Sequence, residues 1–222
     1  MADLKNNLEH QNRPLGFSDA TQFWNERFAK EEFIFGKDPN EYLVQQATQY
    51  LQPGATVLCI ADGEGRNSVW LAKQGMSVAA FDVSDIAIGK AKQFSKDNSV
   101  EVSYALSDTD GWHWQENMYD AIVAIFIQFA DPAMRERIFR NVLRALKPAG
   151  IFILQGYTPK QREYKTGGPS LLEHLYAEEN IRELASEFAI LDLRCYEQEL
   201  SEGARHSGMS ALMGLTAQKS KP

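Results

Sequence analysis

The sequence predicts an α/β fold, a doubly wound and mostly parallel sheet that ends in an antiparallel hairpin. From Thr56 onward, short apolar segments rich in Val, Ile and Phe alternate with segments of helical periodicity, as in successive β-α units of a parallel sheet. Residues 189–222 differ, because two extended segments there flank the turn-like segment SEGARHSG. This change predicts a terminal hairpin added to the sheet.

The boundaries of the elements follow from local signals. The predicted strands are TVLCIA (56–61), SVAAFDV (77–83), VEVSYAL (100–106), YDAIVAIFI (119–127) and IFILQGY (151–157). The predicted helices are RNSVWLAKQ (66–74), DIAIGKAKQFSKD (85–97), AMRERIFRNVLRAL (133–146) and a helix around AEENIRELASEF (177–188). Asp131 before Pro132 marks the third start, because aspartate caps a helix and proline fits its first position. The KPAG segment is expected to end that helix.

Residues 1–222 are expected to form one domain, with an N-terminal helical segment over residues 1–50 and the sheet core over residues 51–222. Two roles are open for this segment. Its aromatic side chains can pack a helix against the sheet, or they can form a lid over a ligand crevice. The aromatic residues concerned are Phe17, Phe23, Trp24, Phe28, Phe33 and Phe35.

Composition excludes several classes of function. The 222 residues are 44% hydrophobic with a net charge of −7, which disfavours nucleic acid and anionic membranes as partners. The N-terminus has no apolar signal-peptide segment and no stretch is apolar enough to span a bilayer, so we expect a soluble, cytoplasmic protein. Cys59 and Cys195 lack the spacing of a metal site and are expected to be buried free thiols.

The loop from Ala61 to Asn67 is a candidate ligand site, because ligands of open α/β sheets lie beyond the carboxyl ends of the strands. Gly63 and Gly65 permit positive φ and a close approach of ligand to backbone, and the following helix offers free N–H groups. The second strand ends at Asp82, where a carboxylate can accept hydrogen bonds from ribose hydroxyls. Capping of the next helix is the competing role of Asp82, although Ser84 is better placed.

These features leave NAD and S-adenosylmethionine as candidate cofactors, since both contain adenosine. The third glycine of a dinucleotide motif is replaced by Ser68, and no second cofactor-binding half follows. The terminal hairpin favours S-adenosylmethionine.

The chain resembles the class I S-adenosylmethionine-dependent methyltransferases over nearly its whole length, in the motifs VLCIADGEGRNSVWLA, FDVS, SDTDGW, YDAIVAIF and LKPAGIFIL. The resemblance implies a Rossmann-like, seven-stranded sheet. The flanking segments FWNERFAKEEFIFGKDPNEYL, YKTGGP and EGARHSGMSALMGLTAQK are similar to the small-molecule branch with tellurite-resistance and thiopurine methyltransferases. The implied reaction is methyl transfer to a small molecule. A thiol or another chalcogen acceptor would need no strong base, whereas a hydroxyl or ammonium acceptor would need one.

The same resemblance implies a set of cofactor-binding residues. Gly63 and Gly65 would lie against the cofactor, Arg66 and Asn67 would face its carboxylate, and Asp62 its amino group. Asp82 would hold the ribose. The adenine would be bordered by Val83, Asp108 and Trp112, and the methionine chain by Ile125 and Phe126.

For the acceptor side, the hairpin residues Arg205 and His206 are the candidate catalytic pair. An arginine can attract an anionic acceptor, and a histidine can take its proton near neutral pH. His10, His113 and His174 are less well placed. Cys59, Ala61 and Asp62 depart from the family pattern, so a non-catalytic S-adenosylmethionine-binding regulatory protein is the alternative. The sequence does not predict the oligomeric state.

Overall fold

The computed structural model describes residues 17–203 and 206–220. Within them, seven strands form one sheet in the order β3-β2-β1-β4-β5-β7-β6. The strands are β1 (Thr56–Ile60), β2 (Ser77–Asp82), β3 (Val102–Leu106), β4 (Tyr119–Ile125), β5 (Leu146–Tyr157), β6 (Phe188–Glu202) and β7 (His206–Lys219). Neighbours among β1 to β5 pair in parallel, whereas β7 is antiparallel to both β5 and β6. The predicted Rossmann-like fold with its terminal antiparallel hairpin is confirmed.

Helices cover both faces of this sheet. They are α1 (Phe17–Phe28), α2 (Glu41–Tyr50), α3 (Arg66–Lys73), α4 (Asp85–Asp97), α5 (Pro132–Ala145), α6 (Gln161–Tyr164) and α7 (Glu178–Leu184), with a 3₁₀ helix at Leu172–His174. Alternate residues of β1 enter different cores: Leu58 packs in the cluster that includes α5, and Val57 in the one that includes α2 and α3. The predicted caps are present, since Ser84 accepts from the Ala87 amide and Asp131 from the Met134 amide.

The direction of winding reverses between β1 and β4, which lie side by side although β2 and β3 come between them in sequence. A crevice beyond the carboxyl ends of these two strands is the usual ligand position in such sheets. The loop after β1 and the residues from Ile125, the last of β4, to Ile127 lie at this edge.

Three sequence expectations are corrected. The helix α5 ends at Ala145, just before the KPAG segment as expected, but β5 begins at Leu146 and not at Ile151, so KPAG lies inside a strand whose pairing with β4 shifts between Tyr119 and Ala121. The hairpin strands extend to Glu202 and resume at His206, so His206 belongs to a strand and not to a loop. Cys195 is exposed, whereas Cys59 is buried as expected.

No helix of residues 17–203 and 206–220 is long and apolar enough to cross a membrane. In the same part of the chain, no three histidine, cysteine or carboxylate side chains group as metal ligands.

Candidate active site

The glycine loop follows β1 and is shaped by two glycines with positive φ, +61° at Gly63 and +89° at Gly65. A Cβ on Gly65 would come within 2.9 Å of the Ala91 Cβ and of the Tyr104 hydroxyl, so glycine is needed there for α3 to pack against its neighbours. A Cβ on Gly63 would meet the Phe28 ring at 3.5 Å. The loop is therefore packed tightly against Ala91 and Tyr104 at Gly65, and the Phe28 ring covers it at Gly63.

Asp82 fixes this loop from the end of β2. One carboxylate oxygen accepts the Gly63 amide at 2.9 Å, and the other accepts the Ser84 amide at 2.9 Å. Burial raises the pKa of Asp82 to about 6, although these backbone N–H groups lower it. The helix after β2 is capped by Ser84, which leaves the Asp82 carboxylate beside the loop.

Asp62 is a second buried carboxyl group in the loop. Its Oδ2 accepts a hydrogen bond from the Ser68 hydroxyl, which also contacts the Tyr104 hydroxyl at 3.0 Å. Its Oδ1 is buried and has no hydrogen-bond partner among the described residues. Burial raises the pKa of Asp62 to about 7, against the lowering effect of the Ser68 hydrogen bond.

Arg66, the first residue of α3, is bonded to the terminal hairpin. Its Nη2 donates to Glu202 Oε2 at 2.8 Å, and both side chains are buried. The Asn40 amide group donates to the other oxygen of Glu202 at 2.9 Å, and the Asn40 backbone amide donates to Asn67 at 3.0 Å. One carboxylate on β6 thus links the glycine loop, the hairpin and the start of α2.

His206 lies in an aromatic environment at the same edge of the sheet. Its ring centroid is 4.1 Å from that of Phe126, 4.6 Å from Phe35 and 5.8 Å from Tyr157. The Nδ1 atom is 3.8 Å from Glu202 Oε2, beyond hydrogen-bond distance, and has no hydrogen-bond partner among the described residues. Burial lowers the pKa of His206 more than Glu202 raises it, so the imidazole is neutral at pH 7.

The segment after α1 is held over the loop by Glu64 and Lys90. The Ile34 amide donates to Glu64 Oε2 at 2.9 Å. Lys90 bonds to the other Glu64 oxygen and to the carbonyls of Lys30 and Glu32 at 2.8 and 2.9 Å. This buried carboxylate and its lysine attach the N-terminal segment to the glycine loop.

The remaining predicted residues border the same edge. Val83 follows Asp82 and is partly buried, and Asp108 Oδ1 accepts the amides of Asp110 and Gly111 at 3.1 and 2.6 Å. Trp112 stacks on Phe81 with centroids 4.8 Å apart. Ile125 and Phe126 lie at the end of β4, where Phe126 has a φ of +56°. His10 and Arg205 lie outside the described residues.

Several residues at this edge were not predicted from the sequence. They are Asn40, Glu64, Lys90, Gln155, Tyr157 and Glu202, whereas Phe28 and Phe35 were among the aromatic residues considered for a lid. The predicted hairpin could have pointed to Glu202, because Glu202 and His206 flank its turn-like segment and pair directly in the structure. Asn40 and Gln155, which are hydrogen-bonded to each other, are 115 residues apart and carry no local signal.

A family comparison matches residues 57–150 to a methyltransferase domain. Residues 57–150 are therefore similar to methyltransferase domains. The chain is 31% identical over 105 residues to an uncharacterised methyltransferase of Synechocystis, covering 47% of this chain and 48% of that protein. It is 29% identical over 104 residues to the probable methyltransferase TehB of Haemophilus influenzae, covering 45% and 36%. The chain thus spans half or less of these relatives' lengths.

Solved structures share the fold of the methyltransferase domain. TehB superposes with a TM-score of 0.66 at 19% identity, covering 90% of this chain and 67% of that one. The N-methyltransferase NodS of Bradyrhizobium japonicum, crystallised with S-adenosyl-L-homocysteine, gives 0.66 at 18% identity, covering 90% and 98%.

The residues of the glycine loop and of the end of β2 fit S-adenosylmethionine, the cofactor that the resemblance to methyltransferases implies. The unpartnered Asp62 Oδ1 offers a buried anionic acceptor for an ammonium group, which no other described side chain satisfies. Asp82 presents its carboxylate at the end of β2 with lone pairs beyond those used by the two backbone amides.

Proposed function

We propose that this protein is an S-adenosylmethionine-dependent methyltransferase that acts on a small molecule. The observation that carries the proposal is the bond between Arg66, which adjoins the cofactor loop, and Glu202, which lies beside His206. The proximity of this ion pair to the glycine loop and to the unpartnered, neutral imidazole of His206 supports a single site for methyl donor and acceptor.

On the donor side, bound S-adenosylmethionine supplies a methyl group carried on a sulfonium. Asp82 accepts the ribose hydroxyls and Asp62 accepts the amino group. The Arg66 Nη1 atom is buried without a partner among the described residues, and it donates to the carboxylate of the cofactor's methionine moiety. The other residues proposed to contact the cofactor are Gly63, Gly65, Asn67, Val83, Asp108, Trp112, Ile125 and Phe126.

On the acceptor side, His206 takes the proton that the acceptor loses. A neutral imidazole is the form that acts as a base, and burial keeps His206 neutral. The rings of Phe126 and Phe35 both contact the imidazole, with centroids at 4.1 and 4.6 Å. The role of Arg205 in attracting the acceptor stays a prediction.

A thiol or another chalcogen is the proposed acceptor atom. A soft nucleophile of this kind needs little acid–base assistance. Alignment of donor and acceptor therefore supplies most of the rate enhancement and lowers the activation barrier by up to roughly 7–11 kcal/mol in favourable cases. The single histidine and the aromatic surroundings are consistent with such a reaction.

The N-terminal segment is proposed to act as a lid. Phe28 covers Gly63 and Phe35 covers His206, so the segment spans both the donor and the acceptor sides. A ligand bound at the loop would be shielded from water by these two rings, which strengthens the electrostatic interactions inside.

The deciding experiment measures S-adenosylhomocysteine binding by calorimetry and methyl transfer from labelled donor to a panel of thiols and other small molecules. Asp82→Ala is expected to lose about 1.5–3 kcal/mol of cofactor binding, the range for hydrogen bonds to a charged group. Asp97→Ala removes an exposed aspartate at the end of α4 and serves as the matched control.

Unchanged affinity in Asp82→Ala would refute the ribose assignment. Cofactor binding without transfer to any acceptor would instead support the regulatory alternative.

A further inference from the structure

The buried charges around His206 cancel. Arg66 and Glu202 have side chains that are 7% and 9% exposed and bonded at 2.8 Å, so each neutralises the other. Burial alone would raise the pKa of Glu202, but the neighbouring His206 and Arg66 hold it below its ordinary value, and the carboxylate is ionised. His206 is neutral, and burial raises the pKa of Tyr157, whose phenol is therefore also neutral. The described side chains of this region contribute no net charge.

Unpartnered polar atoms in this region indicate a ligand. Arg66 Nη1, His206 Nδ1 and Tyr157 Oη are buried and have no hydrogen-bond partner within the described residues. All three residues are more than nine-tenths buried, with 6%, 8% and 2% of their surface exposed. A buried polar group without a partner is costly, so a ligand with a hydrogen-bonding group would relieve this cost. The adjacent Phe126 and Phe35 rings favour an apolar body for that ligand.

We infer that the acceptor is an uncharged molecule with an O–H or S–H group, and that Glu202 determines this specificity by cancelling the charge of Arg66. The inference rests on the proposed methyl transfer. In that transfer the acceptor's proton passes to His206, its lone pair forms the bond to the methyl carbon, and the broken S–C electron pair stays on sulfur. The products are a methyl ether or thioether, S-adenosylhomocysteine and a histidinium that releases its proton to solvent.

An oxyanion is a poor acceptor at this site for the same reason. It would lose its hydration on entry and meet a guanidinium already paired with a carboxylate, so the described side chains offer no net charge that compensates the desolvation. If Arg66 Nη1 donates to the cofactor carboxylate, still less positive charge is available to an anionic acceptor. Either use of Arg66 leads to the same preference.

The test compares anion binding in the full-length protein saturated with S-adenosylhomocysteine, using selenite as the probe in a calorimeter. Glu202→Gln keeps the shape and one acceptor oxygen for Arg66, replaces the oxygen that accepts from Asn40 by an amide NH2 group, and leaves the Arg66 charge uncompensated. One uncompensated buried positive charge raises the affinity for a nearby anion strongly. Selenite affinity is therefore expected to rise at least about tenfold over the wild type. Glu199→Gln, the same change on the exposed side of β6, is expected to leave selenite binding unchanged.

The double variant Arg66→Gln/Glu202→Gln removes both charges and is expected to return selenite affinity to the wild-type level. Retained S-adenosylhomocysteine binding by Glu202→Gln verifies its fold. If that variant does not bind S-adenosylhomocysteine, the wild type is compared with the double variant, and equal selenite affinity supports the inference.

The inference would be overturned if the wild type bound selenite as tightly as Glu202→Gln does. This holds also where Arg205 provides the binding. A wild-type kcat/KM for selenite above that for neutral thiols and phenols would overturn it as well. If no acceptor is methylated although S-adenosylhomocysteine binds, the proposed function fails, while the selenite comparison still decides the charge assignment.

Discussion

Asp62 and Asp82 are buried carboxyl groups that hold their protons unusually tightly. Burial raises their pKa values from 3.8 to about 7 and about 6, more than the hydrogen bonds from Ser68 and from backbone amides lower them. The folded state therefore binds more protons than the unfolded state at a pH between the ordinary pKa of 3.8 and the raised pKa of each group. The free energy of unfolding contains a contribution from both groups that is present below the unfolded pKa and is lost as the pH rises through the folded pKa.

S-adenosylhomocysteine binding is expected to release protons at about pH 6.5, because its ammonium group beside Asp62 favours the ionised carboxylate. The measurement is calorimetry in two buffers of different ionisation enthalpy, in which the observed heat then differs. Asp62→Asn is expected to remove this difference, and the exposed Asp97→Asn to keep it. A binding heat independent of the buffer would refute the ammonium assignment of Asp62.

His206→Gln is expected to lower kcat/KM by roughly 10²-fold with unchanged S-adenosylhomocysteine affinity, since a positioned general base contributes about this much. In the wild type, burial and Arg66 lower the pKa of His206 and Glu202 raises it, with a net lowering. The active neutral form therefore persists below the ordinary value of 6.5, and kcat/KM should fall only at lower pH. His113→Gln, at an exposed position, is the control. Full activity of His206→Gln would assign the residue to structure.

At the scale of elements, the N-terminal segment and the hairpin turn touch through their backbones. A Cβ on Gly203 would lie 2.4 Å from the Gly36 nitrogen and 2.6 Å from the Ile34 carbonyl oxygen. These distances are too short for any side chain, so the segment before α2 and the turn after β6 can meet only where glycine is present. This contact closes the edge of the site that carries Phe35 and His206.

Gly203→Ala is expected to separate the lid from the hairpin. Gly203 and Gly54 both have positive φ, +75° and +89°, but a Cβ on Gly54 would meet nothing within 4 Å. Gly54→Ala therefore measures the backbone strain alone, of order 1–3 kcal/mol, and Gly203→Ala adds about 1–3 kcal/mol for overpacking. Urea unfolding gives both values, and hydrogen exchange should accelerate in residues 28–36 of Gly203→Ala only. Equal losses in the two variants would show that the contact does not hold the lid.

At the scale of the whole molecule, the sheet brings distant segments to one edge. The reversal of strand order between β1 and β4 opens the site, and antiparallel β7 beside β5 delivers His206 to it. The proposed ligand site therefore includes residues from α1 to β7. A ligand there contacts most of the fold and stabilises it as a unit.

S-adenosylhomocysteine at 100 times its Kd is expected to raise the free energy of unfolding by about 2.7 kcal/mol, which for a protein of this size is about 5–10 °C in Tm. Thermal denaturation followed by circular dichroism measures the shift. NADH at the same concentration is the control and should give no comparable change. A larger shift with NADH would favour a dinucleotide at the loop.

The sequence by itself determined the local structure of this protein. Strands and helices were predicted within a few residues, because their periods of 2 and 3.6, the Ser84 and Asp131 caps and the glycine positions are written in neighbouring residues. Asp82 at the end of β2 and the loop after β1 were found for the same reason. The helix stop before KPAG was predicted correctly because it is a local signal, whereas the start of β5 was placed too late because it depends on pairing with β4.

Only the tertiary structure decided which side chains meet. Arg66 bonds to Glu202, 136 residues away, and Asn40 reaches the same carboxylate across 162 residues. Phe28 lies on Gly63 because α1 packs against α4, which no periodicity in the N-terminal segment indicates. Such contacts depend on the order of strands in the sheet and on the free energy of burying charged groups together, and both arise only when the whole chain has folded.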